Sequence, residues 1–145
     1  LSLSYSEEEM YMLFASSNML SSDNGHALHP NYTEKCDITN KPVINGGVII
    51  KYSANQKYTT DASTGAYVKD LMIRNGIPYQ IFVNNSDVTG GSTLGNLSMH
   101  QVSIPTCDIG LAQLSMHSSY ECAGVEDASY IYRLFKAYFE EQGGR

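Results

Sequence analysis

The sequence predicts an α/β fold with a mixed, mainly parallel sheet and helices on both faces. Short β-branched segments bounded by turn residues alternate with helical segments of a dozen or more residues. Strands and helices in this alternation are typical of parallel β-α units. The chain of 145 residues has the length of one domain, and no internal repeat or Pro-rich linker marks a second one.

The N-terminal half contains a predicted helix, a polar loop and a buried strand. Ser6 and Glu9 fit a capping box, so we expect a helix that continues to about Ser16. The polar stretch over residues 21–42 is too long for an ordinary connection, and we interpret it as a functional loop. Residues 48–52 form a short β-branched segment between turns, which predicts a strand buried on both faces.

The C-terminal half alternates helices and strands. Thr60 or Asp61 can cap a helix that stops at Asn75 and Gly76. The closing helix has an apolar stripe at spacings of three and four residues, which predicts one buried face. The expected elements are a helix over 62–74, a strand over 77–83, a tight turn into a short helix after residue 90, a strand over 106–110 and a helix opened by Asp127 that runs to about Glu141.

Composition excludes several classes of function. The chain has 9 Lys and Arg against 15 Asp and Glu, a net charge of −6, without a basic cluster. Phosphate backbones and anionic membranes need concentrated positive charge, so we expect no nucleic-acid or membrane partner. No apolar run approaches the ~20 residues that span a bilayer. Three widely spaced cysteines without a CxxC pair indicate reduced thiols, and hence a cytoplasmic protein.

Histidines and a carboxylate supply the candidates for metal chemistry. Asp23, His26 and His29 lie in one short loop at a predicted strand end, and this donor set suits Zn²⁺. Alternatively, Asp23 can cap a turn while the histidines bind backbone atoms. His117 follows the strand over 106–110, where ligands collect in open α/β sheets, and it could meet Asp23 or serve a structural role. We interpret His100 as structural.

A glycine-rich segment and two isolated side chains carry less information. The segment over residues 90–95 lacks the Gly-Lys-Ser/Thr ending and the full GxGxxG spacing, so a nucleotide site is not favoured. Its glycines indicate either a tight turn or close backbone approach to a ligand. Lys51 and Tyr58 say nothing alone, because most lysines are solvated.

Four sequence blocks, taken together and in order, resemble a known family. The blocks cover residues 21–32 (SSDNGHALHPNY), 50–58 (IKYSANQKY), 91–95 (GSTLG) and 113–118 (QLSMHS). They resemble the aspartyl aminopeptidase / vacuolar aminopeptidase I family of dinuclear zinc exopeptidases. The similarity runs from about residue 18 to residue 141, so the chain resembles the C-terminal portion of a zinc-exopeptidase catalytic domain.

The resemblance implies a role for each matching residue. Asp23 would bind one zinc ion and His117 the other, with a further Asp bridging the two ions. Two cations, zinc or other divalent metals, can bind the substrate amine and carbonyl and generate hydroxide. His26, Lys51 and Tyr58 would surround the peptide substrate, Lys51 and Tyr58 being suited to an acidic first side chain. The backbone at Gly91 would lie close to the substrate.

Several parts of the family pattern have no counterpart among the 145 residues. The family's first metal-binding His, its bridging Asp and its catalytic Glu with the adjoining metal-binding Glu fall upstream of the matched blocks. Residues 7–9 belong to an exposed helix start and do not match the Glu-Glu motif. We therefore expect no catalytic residue in this chain.

These absences define the expected organisation. Residues 1–145 would form the C-terminal part of a metallo-aminopeptidase catalytic domain, without the N-terminal catalytic part and the assembly domain. The chain alone would be inactive. It would act with the missing N-terminal part of the same enzyme, which we expect to be a homo-oligomer when complete.

One alternative belongs to a different functional class. The chain could be a non-catalytic α/β binding or assembly module that keeps a peptidase scaffold and has lost half of its metal site. Metal content separates the two hypotheses, since only the enzyme predicts near two zinc ions per catalytic unit. A nucleotide-binding domain is a distant third hypothesis.

Overall fold

The computed structural model describes residues 4–143 as two small sheets flanked by helices. The elements are helix α1 (Glu7–Ser16), strands β1 (Met19–Ser22) and β2 (Gly25–His26), a 3-10 turn (Thr33–Lys35), strand β3 (Val48–Tyr52), helix α2 (Ala62–Arg74), strand β4 (Tyr79–Val83), helix α3 (Leu94–Met99), strands β5 (Thr106–Gly110), β6 (Ala112–Leu114) and β7 (Cys122–Ala123), and helix α4 (Val125–Gly143).

The sheets are mixed and mainly parallel, as predicted. The larger sheet has the order β1-β5-β3-β4, and the smaller has the order β2-β6-β7. Strands β1 and β5, β3 and β4, and β2 and β6 pair in parallel, whereas β3 and β5 and β6 and β7 pair antiparallel. The antiparallel pairing in the middle of the larger sheet joins two parallel halves.

Helices cover both faces of the larger sheet, which confirms the predicted layering. On one face Val48, Ile50 and Ile109 are fully buried against apolar side chains of α2 and α4, including Leu71 and Leu134. On the other face α3 lies against β1 and β5. A Cβ added at Gly95 of α3 would come within 2.5 Å of Ser21 Oγ and 3.0 Å of Asp108 Oδ1, so close helix contact requires glycine here.

Local capping explains where the first two helices begin. The Ser6 hydroxyl accepts from the Glu9 amide at 3.3 Å, and the Ser6 amide donates to Glu9 Oε2 at 2.8 Å, as the sequence predicts. Asp61, rather than Thr60, caps α2 by accepting from the Thr64 amide at 2.7 Å. The helix ends before Gly76, whose φ of +59° suits glycine.

Three predicted boundaries differ from the structure. The strand predicted over 77–83 begins at Tyr79, because the Ile77 amide still donates to Met72 O at 2.9 Å at the end of α2. The polar stretch 21–42 contains the end of β1 and all of β2, because its backbone pairs with β5 and β6, which lie more than eighty residues away. Helix α4 begins at Val125 rather than at Asp127. The buried Asp127 carboxylate instead turns inward and accepts from the amides of Asn45 at 2.7 Å and Gly47 at 2.8 Å.

Within residues 4–143, none of the helices combines the length and the apolar character that crossing a bilayer requires.

Candidate functional site

The candidate site occupies the face of the larger sheet that carries α3. Strand register sets a row of side chains across this face, because Ser21 pairs with Asp108 and Lys51 pairs with Phe82. Alternation along each strand then keeps these side chains on the side opposite the main core. The predicted site residues are distributed around this row and at the strand ends beside it.

Asp23 directly follows β1, and its backbone is held firmly. Its amide donates to Ile109 O at 2.9 Å, while the side chain is exposed. The neighbouring Asn24 links this segment to β6, since its Nδ2 donates to Gln113 Oε1 at 2.6 Å and its Oδ1 accepts from the Leu111 amide at 3.0 Å. The Asp23 carboxylate is therefore presented to solvent from a fixed position at the strand end.

Lys51 is a buried cation, contrary to the solvated role that most lysines have. Its residue is 3% exposed, and Nζ donates to Asp23 O at 3.3 Å and to Asn24 O at 3.2 Å. The ammonium also lies 4.5 Å from the centroid of the Tyr58 ring, a cation–π distance. The structure thus places Lys51 and Tyr58 together beside the backbone of Asp23.

No carboxylate forms an ion pair with the Lys51 ammonium among residues 4–143. Burial lowers the pKa of the Lys51 amine below its ordinary value, and the charges of Asp23 and Asp108 oppose that change. Since Lys51 has three N–H groups and two bind backbone carbonyls, one N–H is available to a further acceptor. The electrostatics suit an anionic group brought by a ligand.

Tyr58 is also buried, and its hydroxyl has a defined partner. Asn84 Nδ2 donates to the Tyr58 hydroxyl oxygen at 2.8 Å. Burial raises the pKa of the Tyr58 hydroxyl above its ordinary value, and the hydrogen bond from Asn84 opposes that rise. Tyr58 is therefore a neutral hydroxyl near neutral pH and can act as a donor.

His26 and His117 approach the same region from the smaller sheet. His26 lies in β2 opposite Gln113 of β6, and His117 follows β6 by three residues. Burial is the main cause that lowers the pKa of His26, and the positive charges of His117 and Lys51 lower it further. His26 is therefore within electrostatic reach of both other side chains.

The exposed His117 side chain stands on an unusual backbone conformation. His117 has a φ of +65°, and its amide donates to Glu121 Oε1 at 2.6 Å. A left-handed conformation is uncommon for a residue with a Cβ, and Glu121 helps to stabilise it. This local turn presents the imidazole beyond the end of β6.

Gly91 lies in a loop that is fastened to the Tyr58 segment. Lys57 Nζ donates to Gly90 O at 2.6 Å, and the Ser92 hydroxyl donates to Lys57 O at 3.3 Å. A Cβ added at Gly91 would meet nothing within 4 Å, so the space beside its backbone is open. The close approach of a ligand to Gly91 stays a prediction.

The metal ligands stay a prediction as well. Asp23 and His117 supply one carboxylate and one imidazole, which are donor types that zinc takes. Across residues 4–143, no group of three or more His, Cys, Asp or Glu side chains could hold a metal ion. The donor chemistry therefore fits zinc, but a closed zinc site needs further ligands from outside this segment.

The remaining two histidines, His29 and His100, lie in different environments. His29 Nδ1 accepts from the Asn31 amide at 3.1 Å, and its ring lies 5.0 Å from that of Tyr32. This is the backbone-bonding role that we weighed for the loop histidines. His100 is exposed at the C-terminal end of α3.

Sequence reasoning missed three residues that organise the site. They are Asn24, Asn84 and Asp108. Asp108 is fully buried, and its Oδ2 accepts from the Thr59 amide at 2.6 Å and from the Thr59 hydroxyl at 2.8 Å, beside Tyr58. These contacts join segments 26 to 89 positions apart, and no local pattern signals them. An alternation argument along β5 could have placed Asp108 opposite the core.

The mixed α/β scaffold carries an exposed carboxylate after β1, beside the buried Lys51 ammonium, and an exposed imidazole after β6, which are side-chain types that a metallopeptidase uses. The family model described as "Aminopeptidase I zinc metalloprotease (M18)" matches residues 1–139. The chain belongs to this M18 family, which confirms the resemblance found in the sequence blocks.

Individual relatives agree with this assignment. The chain is 42% identical over 139 residues to a probable M18 family aminopeptidase 2 of Clostridium novyi, covering 96% of this chain and 32% of the relative. It is 42% identical over 123 residues to a probable aspartyl aminopeptidase of Ricinus communis, covering 85% and 25%. The chain thus spans about a third or less of the length of these relatives.

Solved structures show the same fold. A chain in the cryo-EM structure of the Ape4 and Nbr1 complex matches with a TM-score of 0.92 and 34% identity, covering 98% of this chain and 27% of that one. The S. cerevisiae mApe1 dodecamer matches with a TM-score of 0.80 and 31% identity, covering 90% and 28%.

Proposed function

We propose that this chain forms the substrate-selecting part of a zinc-dependent aminopeptidase that removes N-terminal residues, acidic ones in particular, from peptides. The observation that carries the proposal is the buried Lys51 ammonium. It lies beside the backbone of the predicted metal ligand Asp23 and pairs with no carboxylate among residues 4–143. A cation in this setting favours a substrate that brings its own negative charge.

Each residue has a part in the proposed reaction. Asp23 and His117 each hold one metal ion together with ligands from outside residues 1–145. Two bound zinc ions supply Lewis acidity and an activated water. Lys51 and Tyr58 donate to the first side chain of the substrate and fix its orientation. His26, whose pKa is lowered, is neutral near pH 7 and can bind the substrate as a donor or an acceptor.

The acidic preference has support from charge and from one relative. The Ricinus relative carries the name of an aspartyl aminopeptidase. The Clostridium relative is named for its family alone. We place the preference for Asp or Glu on Lys51, because one of its N–H groups is free of backbone partners.

Assembly and location are parts of the same proposal. The yeast protein with a similar fold forms a dodecamer, which supports a homo-oligomer for the complete peptidase. Cys36, Cys107 and Cys122 are all free thiols, which supports a cytoplasmic location. The general base and the remaining metal ligands come from a region outside residues 1–145.

The test uses the active peptidase that contains this chain. We expect Asp23→Ala and His117→Ala to abolish hydrolysis of an N-terminal Glu substrate and to lower the bound zinc from near two ions per catalytic unit. Matched controls are Asp70→Ala and His100→Ala, which change an exposed carboxylate on α2 and an exposed imidazole after α3. Near-wild-type turnover in either metal-site variant would refute the assignment, and the absence of zinc at any concentration would favour the non-catalytic module.

A further inference from the structure

Asn84 forms a hydrogen bond with the Tyr58 hydroxyl. Asn84 directly follows β4, and its Nδ2 donates to the Tyr58 hydroxyl oxygen at 2.8 Å. Neither the sequence blocks nor the predicted substrate contacts include Asn84. Tyr58 is buried with 6% exposure, and its hydroxyl oxygen accepts this hydrogen bond.

The Asn84 amide is itself held in place. Its backbone forms a β-bridge with Cys36, and the neighbouring Asn85 donates to Glu34 O and Cys36 O at 2.9 Å each. On another side Gly90 packs so closely that an added Cβ would lie 2.4 Å from Asn84 Nδ2. The position of the donor is therefore fixed by the fold, independently of a ligand.

Asn84 also forms a wall shared by two cavities. A cavity of about 380 Å³ lies on the side of His26 and Phe82. A second, of about 460 Å³, lies on the side of Lys57 and Gly90. A residue at this partition is in a position to influence what either cavity admits.

The direction of the hydrogen bond between Asn84 and Tyr58 determines whether the Tyr58 hydroxyl can donate to a further group. An amide NH₂ only donates, so the Tyr58 oxygen accepts from Asn84 and its own hydrogen is left for another acceptor. The Lys51 ammonium, 4.5 Å from the Tyr58 ring, cannot accept that hydrogen. Lys51 and Tyr58 thus each keep a hydrogen that can be donated to a further acceptor.

We propose that Asn84 is a positioning residue that keeps the Tyr58 hydroxyl pointed as a donor toward an acceptor-only group, the carboxylate of an acidic N-terminal residue. This inference rests on the proposed aminopeptidase function and adds to it a determinant of side-chain selectivity. An amide side chain on the substrate satisfies the same donors less well, because its NH₂ group would face Lys51 or Tyr58.

The experiment compares two matched substrates in the active peptidase that contains this chain. The substrates carry N-terminal Glu or Gln, which have nearly the same shape. Asn84→Leu removes the donor, and we expect kcat/KM for the Glu substrate to fall about fivefold, mainly through KM. Asn84→Asp places an acceptor where the donor was, captures the Tyr58 hydrogen and should lower the Glu to Gln ratio by about 100-fold.

A double-mutant cycle separates positioning from a general structural role. In a Tyr58→Phe background, Asn84→Leu should change kcat/KM by less than about twofold, because the hydroxyl on which it acts is gone. The matched control is Asn75→Ala, whose side-chain amide donates to Leu71 O at 2.8 Å at the end of α2, and it should leave the Glu to Gln ratio unchanged. Because each Glu to Gln ratio is taken on one protein preparation, a loss of folded protein cancels in that ratio.

Two failures are distinguishable. An active peptidase in which Asn84→Leu has its full effect in the Tyr58→Phe background, or in which Asn84→Asp lowers both substrates equally, would overturn the role of Asn84 alone. A wild-type assembly that releases no N-terminal residue overturns the proposed function and the inference with it.

Discussion

Replacement of Lys51 by Met tests how substrate charge is selected. Met keeps most of the aliphatic stem, which fills the space between Tyr58 and Phe82, but it removes the ammonium. Two N–H groups of Lys51 bind Asp23 O and Asn24 O, so one charge-assisted hydrogen bond remains for the substrate. Such a bond contributes about 1.5–3 kcal/mol, which corresponds to about a 10- to 150-fold change.

The assay measures kcat/KM for N-terminal Glu and N-terminal Gln substrates in the active peptidase that contains this chain. We expect Lys51→Met to lower the ratio of kcat/KM for Glu to kcat/KM for Gln by about 10- to 150-fold. The matched control is Lys69→Met, which removes an exposed ammonium of α2 that lies 5.4 Å from the Tyr79 ring. An unchanged ratio in Lys51→Met, with folding verified by thermal unfolding, would refute the charge argument.

Three further predictions concern the scaffold. Gly47→Ala should lower the free energy of unfolding by more than about 3 kcal/mol, because the new Cβ would lie 2.3 Å from Pro78 O at a φ of +109°. The new Cβ of Gly76→Ala meets no atom within 4 Å, and this variant should lower the free energy of unfolding by about 1 kcal/mol. Chemical denaturation measures both changes. Asp61→Ala removes the N-cap of α2 and should lower the free energy of unfolding by about 1 kcal/mol at neutral pH. Hydrogen bonds from Thr64 hold the pKa of Asp61 below its ordinary value, so this contribution is present above the unfolded pKa and should disappear in denaturation curves as the pH falls below about 4. The exposed Cys122 thiol should react with a thiol reagent under native conditions, whereas burial raises the pKa of Cys107 to about 12 and its reaction should require unfolding.

The sequence predicted those parts of the fold that depend on neighbours within four positions. Ser6 and Asp61 cap their helices through contacts three residues away, and the strand over 48–52 and the helix over 62–74 have the predicted bounds. Strands β2 and β6 escaped prediction because they are two and three residues long. Their pairing joins segments more than eighty positions apart, and no local pattern carries that information.

The sequence likewise predicted some residues of the candidate site and not others. The sequence blocks named His26, Lys51 and Tyr58. The structure places Lys51 against the Tyr58 ring, and His26 is near enough for the Lys51 charge to lower its pKa. We expected Lys51 to be solvated only because most lysines are. The structure buries it, because backbone carbonyls and an aromatic ring replace water around the ammonium. The sequence did not indicate Asn84, because its contact with Tyr58 depends on the pairing of β4 with β3.

The place of Lys51 within β3 has a consequence for dynamics. β3 is hydrogen-bonded on both sides, to β5 and to β4, so amide exchange at its centre requires the sheet itself to open. The charge that we propose reads the incoming residue therefore lies in a central strand, where we expect slow amide exchange, rather than in a hinged flap. On this proposal, a change of specificity at position 51 alters a strand that is paired on both sides, so selectivity and the protection of its amides from exchange should change together.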